Sequence, residues 1–221
     1  MNHQVLSSSE LFYNIPPAEM KGVLDCLGSR NNQYRKGEII LRAGDTTDSA
    51  GVVLSGGVYI EQTDIWGNQN IISHAGAGEL FAETYAAVAD EPLMVSVVAS
   101  KDCDILFFNI QKVLNTCSGG CNYHHILVRN LLTIISSKNL TLTRKITHIT
   151  PKSIRGRVVA YLSEQARRQG RYSFDIPFNR QYLADYLCVD RSALSGELSK
   201  MQKEGLISFE KNHFTLHRTE S

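Results

Sequence analysis

Two stretches of this sequence gather side chains able to do chemistry at short range. The first is FNRQYLADYLCVDRSALSGELSKMQKEGL, Phe178 to Leu206. Arg180, Gln181, Asp190, Arg191, Ser192, Ser195 and Lys200 within it supply the cations, donors and acceptors that suit a polyanion with readable edges. An arginine in the first turn of a helix can grip guanine O6 and N7 with two parallel hydrogen bonds. An arginine opening the preceding helix can hold a phosphate, helped by the unpaired N–H groups there. The second stretch is CSGGCNYHH, with two thiols and two imidazoles in nine residues. Cys117, Cys121, His124 and His125 have chemistry suited to zinc or to thiol oxidation. Their spacing is not a standard metal knuckle, and Gly119-Gly120 reads more simply as a turn, so no metal site is assigned.

The first group needs elements to hold it, and the local signals supply them. Asn179 is a good N-cap for a helix from Arg180 to Leu187, and Cys188-Val189 is a turn. Asp190 caps a second helix from Arg191 to about Glu204, closed by Gly205. Ala184, Leu187, Val189, Leu194 and Leu198 make a shared core if the two helices cross steeply, and the small Ala184 allows close approach. That is a helix-turn-helix, whose second helix enters the major groove. LISFEKNHFTLH alternates apolar and polar residues around Lys211-Asn212, which fits a β-wing. Charge agrees: residues 151–221 carry 12 Lys/Arg against 8 Asp/Glu, whereas residues 1–150 carry 11 against 14. Two amphipathic helices merely packed together would explain the spacing but not the wing and the charge.

The remainder reads as a sensor-sized partner for this module. The chain has 221 residues, 43% hydrophobic and 20% charged, an ordinary globular composition. It has no apolar run of membrane-spanning length and no visible signal peptide, so the expected compartment is cytoplasmic, with no membrane partner. Five cysteines without framework spacing suit reduced thiols. From Tyr34 to about residue 110, six to eight short Val/Ile-rich segments predict a compact antiparallel barrel or roll, with turns at Gly44-Asp45, Gly56-Gly57 and Gly67-Asn68. From Asn122 to Ile149 there is no Pro or Gly, and Leu127, Leu131, Ile134, Leu142, Ile146 and Ile149 recur at mostly helical spacing. Such a stripe packs on its own domain or forms a coiled-coil seam; the length favours dimerisation, with Lys138 interrupting the seam. Thr150-Pro151 ends that helix. The expected domains are a β-roll over 1–121, a dimerisation helix and hinge over 122–150, and a winged helix-turn-helix over 151–221.

A barrel enzyme would need two or three histidines and a carboxylate converging inside. The predicted strands offer only His74, and the spacing reveals no paired carboxylates, Ser-His-Asp set or Walker loop, so neither catalysis nor a cofactor is expected.

In this order, KGEIILRAGD, LSGGVYI, GELFAET, GRVVAYL and DRSALSGELSKMQKEGLI resemble the bacterial family of the cyclic-AMP receptor protein and the fumarate-nitrate reduction regulator (Crp/Fnr), over about residues 10–218. The resemblance implies an α+β fold: an N-terminal double-stranded β-roll like that of cyclic-nucleotide-binding domains, a long central dimerisation helix, and a C-terminal winged helix-turn-helix. It implies a homodimeric transcription regulator that binds a two-fold symmetric operator in double-stranded DNA, with a small-molecule effector and RNA polymerase as further partners. Effector binding in the family repositions the helix-turn-helix domains through the central helix. The frequent first-turn arginine matches Arg191; the acidic residue that often follows is Ser192 here, and a further arginine falls at Gly196. The operator is therefore not readable, and Gly196 costs about 1 kcal/mol of helix propensity relative to alanine.

The family's effector cassette falls on GELFAETYAAVADEPLMVSVVAS, Gly78 to Ser100. Glu83 takes the ribose-binding glutamate position, while the Arg-Ser pair for a cyclic phosphate falls on Leu93 and Met94. No Lys or Arg occurs between Arg42 and Lys101. A buried phosphate without a guanidinium is strongly unfavourable, so a cyclic nucleotide is not expected. Gly78, Leu80, Glu83, Thr84, Leu93 and Met94, with Leu131 from the long helix, form the candidate effector pocket. Leu93 and Met94 would give it an apolar wall, suited to a small hydrophobic or weakly polar effector or filling it outright. Iron–sulphur members need clustered N-terminal cysteines, and only Cys26 is there; His74 and Cys103 are haem ligands by type alone. Two other readings stay open. One is a redox- or metal-responsive regulator using Cys117 and Cys121; the other is a small-molecule-binding β-barrel protein whose C-terminal domain mediates protein contacts.

Overall fold

The computed structural model describes residues 3–64, 66, 69–115 and 123–217, and the chain divides into two compact units, Met1–Ser136 and Ser137–Ser221. The first unit opens with α1 (His3–Ser8), a 3₁₀ turn and α2 (Met20–Cys26). The strands β1 (Arg30–Tyr34), β2 (Ile39–Leu41), β3 (Ser49–Thr63), β4 (Gln69–Gly76) and β5 (Leu80–Phe81) follow. Then come α3 (Glu83–Ala87), β6 (Ser96–Asn109) and α4 (Ile110–Leu114). The strands form one antiparallel sheet in the order β1-β6-β3-β4, with β2 also on β6 and β5 on β3. This is the expected roll, whose Gly67-Asn68 turn lies outside the described residues, with one difference. Gly56-Gly57 does not close a turn; β3 runs through it for 15 residues. The register against β6 shifts between Val53 and Val58, so the glycines sit in bulges that bend the strand. Gly56 lies at φ +81, and a Cβ there would stand 2.3 Å from the Asp102 carbonyl oxygen.

Strand alternation sends side chains to two cores. Ala50, Val52, Leu54, Leu106 and Phe108 pack with Leu11, Phe12, Met20 and Leu24 of the N-terminal segment. Val53, Val58, Val97, Ala99, Ile105 and Phe107 instead pack with Phe81, whose ring lies edge-on to Phe107 at 6.0 Å.

α5 (His124–Ile149) begins in the first unit and ends in the second. Leu127, Leu131 and Ile134 are buried in the first core, whereas Leu142 is 63% and Ile146 59% exposed. The single predicted stripe is therefore two. From Ile134 to Leu142 is eight residues, a turn of about 80° around the helix, so the two ends of the stripe face different ways.

The second unit continues with α6 (Ile154–Gln169), β7 (Ser173–Asp175), α7 (Arg180–Leu187), α8 (Arg191–Lys203), β8 (Ile207–Glu210) and β9 (His213–Leu216). The strands form a sheet in the order β7-β9-β8. Its core holds Val158, Tyr161 and Leu162 of α6, Leu183, Ala184 and Leu187 of α7, and Leu194, Leu198 and Met201 of α8, closed by Phe174 and Phe214. Ala184, Leu194 and Leu198 are wholly buried, as a close crossing of α7 and α8 requires. Among the described residues no helix is long and apolar enough to cross a membrane.

Candidate nucleic-acid interface and effector cassette

The two helices of the C-terminal motif are fixed by their caps. Asn179 Oδ1 accepts from the Tyr182 N–H at 2.9 Å, and Cys188, at φ +53, ends α7. Asp190 Oδ1 accepts from the Ser192 N–H at 2.8 Å, the Ala193 N–H at 3.0 Å and the Ser192 hydroxyl at 2.5 Å. The Ser192 hydroxyl and the two backbone amides hold the Asp190 carboxyl below the usual range. Asp190 and Ser192 are thus committed to the turn. The Ser195 hydroxyl is also engaged, donating to the Arg191 carbonyl at 2.9 Å from a half-buried position rather than an open one. Arg191 and Lys200 are exposed on α8, and Gln181 is exposed on α7, donating to Asp185 at 2.8 Å. Arg180 is half-buried: its guanidinium lies 4.7 Å from the centre of the Phe209 ring and 5.8 Å from that of Phe214. It is stacked on the wing sheet, and burial lowers its pKa. Gly196 is exposed, with open space where a Cβ would stand.

Three contacts between residues far apart in the chain lock this frame. Arg155 on α6 donates to both oxygens of Glu204 at 2.7 and 2.8 Å and to Glu197 at 2.6 Å, tying α6 to α8. The Arg157 guanidinium donates to the Pro151, Leu187 and Cys188 carbonyls at 2.9–3.0 Å, capping the end of α7. His148, in the last turn of α5, is buried with Nδ1 2.9 Å from Tyr186 Oη and Nε2 2.5 Å from Glu164 Oε2. Arg144 Nε lies 3.3 Å from the other Glu164 oxygen.

The absence of a Ser-His-Asp set is corrected by the fold. Ser173 Oγ lies 2.9 Å from His213 Nε2, and His213 Nδ1 lies 3.0 Å from Asp175 Oδ1. Strand pairing assembles it, since Asp175 faces His213 and Ser173 faces Thr215. The serine hydroxyl is shared with Thr215 Oγ1 at 2.9 Å, and all three residues are exposed on a sheet face. An exposed face gives a nucleophile neither a desolvated pocket nor an enclosed oxyanion site, so the three side chains read as a cross-strand polar ladder.

In the first unit, Gly78 sits at φ +87 with its N–H donating to the Val53 carbonyl at 2.8 Å, and Leu80 is buried against Val52. Ala82, at φ +61, precedes α3 without a side-chain cap, and α3 has only five residues with Glu83 in its first turn. An anion approaching that helix start meets a carboxylate, 4% exposed, instead of a cation. Leu93 is buried and exchanges backbone bonds with the 44–45 turn: Gly44 N–H to the Leu93 carbonyl at 2.8 Å, Leu93 N–H to the Asp45 carbonyl at 2.9 Å. Met94 is 69% exposed and Thr84 is exposed, so within this chain neither walls an enclosed pocket. The chain bends at Met94 and Val95, and only Leu93 turns inward. Leu131 is buried in the first core with Leu80. An open cleft of about 440 Å³ lies elsewhere, lined by Tyr34, Arg35, Glu38, Ser55, Asp102 and Asp104 among others. Its carboxylates already accept from Arg35 N–H, Lys36 N–H and the Ser55 hydroxyl.

Cys117 and Cys121 lie outside the described residues. His124 is buried, with Nε2 2.9 Å from the Lys112 carbonyl, and His125 is exposed. Among the described residues no cluster of three or more His, Cys, Asp and Glu could hold a metal ion. His74 is exposed and packs edge-on to Tyr59 at 5.5 Å. Cys103 is buried, and burial pushes its thiol pKa up, away from a reactive or ligating thiolate.

Residues 31–119 match the family described as cyclic nucleotide-binding domain, and residues 156–221 match the Crp-like helix-turn-helix domain. No curated protein matches the chain. Among solved structures, one similar to it is CLP of Xanthomonas campestris, described as a c-di-GMP responsive global regulator. The two are 18% identical over 92% of this chain and 100% of that one, with a TM-score of 0.55. CprK complexed with OCPA is 13% identical over 90% of this chain and 88% of that one, with a TM-score of 0.62. The catabolite activator protein of Thermus thermophilus is 22% identical over 95% and 94%, with a TM-score of 0.49. The likeness to CLP and CprK is one of fold.

Proposed function

Because this chain belongs to the Crp/Fnr family of transcription regulators, we propose that it acts as a homodimer on a two-fold symmetric operator. In this reading the roll senses a small effector that is not a cyclic nucleotide, and RNA polymerase is the partner at the promoter. The observation that carries the DNA reading is the exposed Arg191 in the first turn of α8, beside a turn whose polar groups are all spent on capping. Arg191 then reads a base edge and Lys200 a phosphate, while Arg180 braces the wing and offers its outer edge to the backbone.

The effector reading is supported by Leu93, which is buried where a phosphate-binding pair would stand, and by the acidic start of α3. A cyclic phosphate placed there would be desolvated without a countercharge. The switch would act through α5, whose first half is rooted in the first core and whose last turn is held by Glu164 and Tyr186.

Fluorescence anisotropy with a selected operator duplex tests both parts. Millimolar cyclic AMP or cyclic GMP is expected to leave affinity unchanged, and Arg191→Ala to cut discrimination between operator and random duplex by about 1–3 kcal/mol. A tenfold response to either nucleotide would overturn the effector reading, and unchanged discrimination the DNA reading.

A further inference from the structure

The exposed face of α5 has a repeat of its own. Val128, Leu132, Ile135, Asn139, Leu142, Ile146 and Ile149 follow one another in alternating steps of four and three residues. That is the spacing of the two core positions of a coiled-coil heptad, with Leu132, Asn139 and Ile146 at one and the remaining four at the other. Val128, Leu132, Leu142 and Ile146 are exposed, and Ile135 and Ile149 are half-buried. The seam is offset from the Leu127, Leu131 and Ile134 stripe that the first core buries, and touches that core only through the half-buried Ile135. Asn139 is the one polar residue in it, central, with three apolar positions on each side.

We propose that Asn139 sets the register and stoichiometry of the pairing between α5 and its copy, an inference that rests on the homodimer reading above. In a parallel, in-register pair, Asn139 meets Asn139 of the second copy across the two-fold axis, and each amide finds a donor and an acceptor. A slip of one heptad places it against Leu132 or Ile146. An antiparallel pair places it in a layer with residues from the other, wholly apolar set. Either arrangement buries an unsatisfied amide. Charge does not share this task. α5 contains no Asp or Glu, and the seam's flanks carry Lys138, Lys145, Ser136 and Thr143, so no ion pair between helices distinguishes one register from another. Thr143 Oγ1 donates to Asn139 Oδ1 at 3.2 Å, which orients the amide before pairing.

The test uses the full chain. Sedimentation velocity measures stoichiometry, and oxidative cross-linking measures register. Leu142→Cys alone reports the in-register pair; a mixture of Ile135→Cys and Leu142→Cys chains reports a one-heptad slip. With Asn139 present, dimers alone and in-register cross-links are expected. Asn139→Leu is expected to tighten association at least tenfold while producing trimers or tetramers and slipped cross-links. Asn139→Asp is expected to weaken the dimer at least tenfold at neutral pH by opposing two carboxylates. An Asn139→Leu chain that stays a uniform, in-register dimer overturns the proposal and leaves the homodimer intact. A monomeric parent chain overturns both.

Discussion

Replacing His148 with phenylalanine isolates the contact that anchors the end of α5 in the second unit. Phenylalanine keeps the ring, its edge-on packing on Tyr161 at 5.4 Å and its contact with Tyr186, but removes both nitrogens. The substitution deletes the hydrogen bond between Nδ1 and Tyr186 Oη and the close approach of Nε2 to the Glu164 carboxylate, around a side chain only 3% exposed. A hydrogen bond to a charged group contributes about 1.5–3 kcal/mol and a neutral one about 0.5–1.5 kcal/mol. Arg144 still faces Glu164, which keeps the charged loss toward the lower end. The expected destabilisation is therefore about 2–4 kcal/mol. In a unit of this size that lowers the melting temperature by roughly 10–25 °C. The assay is thermal unfolding of the full chain, following the transition of the second unit by calorimetry. Adding Glu164→Gln to His148→Phe should recover part of the loss, because an amide needs no charged partner. A destabilisation below about 0.5 kcal/mol, or strictly additive effects in the double variant, would mean that His148 does not anchor α5 through these contacts.

Gly196→Ala places a Cβ in open space on an exposed helix and should stabilise α8 by about 1 kcal/mol in chemical denaturation; a loss of operator affinity alongside that gain would locate DNA against the α8 backbone. Arg191→Ala should remove about 1–3 kcal/mol of base discrimination, read by competition between operator and mismatched duplexes. Arg180→Ala should weaken binding evenly across sequences and loosen the wing, read by hydrogen exchange at β8 and β9. Asp190 is held below the usual carboxylate range by Ser192 and Ala193, and Glu204 by Arg155. Both contribute stability above the unfolded-state pKa near 4 and lose it as pH falls through their lower folded-state values. Circular dichroism of an Asp190→Asn, Glu204→Gln chain should therefore show a flatter acid limb below about pH 4.

Features fixed by neighbouring residues were legible in the sequence, and features fixed by distant ones were not. The caps at Asn179 and Asp190 and the Gly205 helix end are local, and they fall where the sequence places them. The Gly56-Gly57 pair looks like a turn because bulge glycines and turn glycines answer the same demand for positive φ; only the β6 backbone beside Gly56 makes it a bulge. The stripe on α5 could not be divided, because its buried half is chosen by Leu11 and Phe12, more than a hundred residues away. Asn130 Nδ2 donates to the Leu11 and Tyr13 carbonyls across the same separation. The His148–Glu164–Tyr186 contact and the Ser173–His213–Asp175 ladder join residues that no spacing rule associates. In the cassette, the missing cation was readable, but which of Leu93 and Met94 faces inward depends on the pairing of Leu93 with the 44–45 turn.

Whether this chain reads an operator is measured by selecting binding sites from a random duplex pool with the full chain. The expected outcome is enrichment of one inverted repeat with half-sites about 10 base pairs apart centre to centre, bound with steep salt dependence and less selectively after Arg191→Ala. Enrichment of no sequence, or of a single half-site bound by one chain, would contradict it.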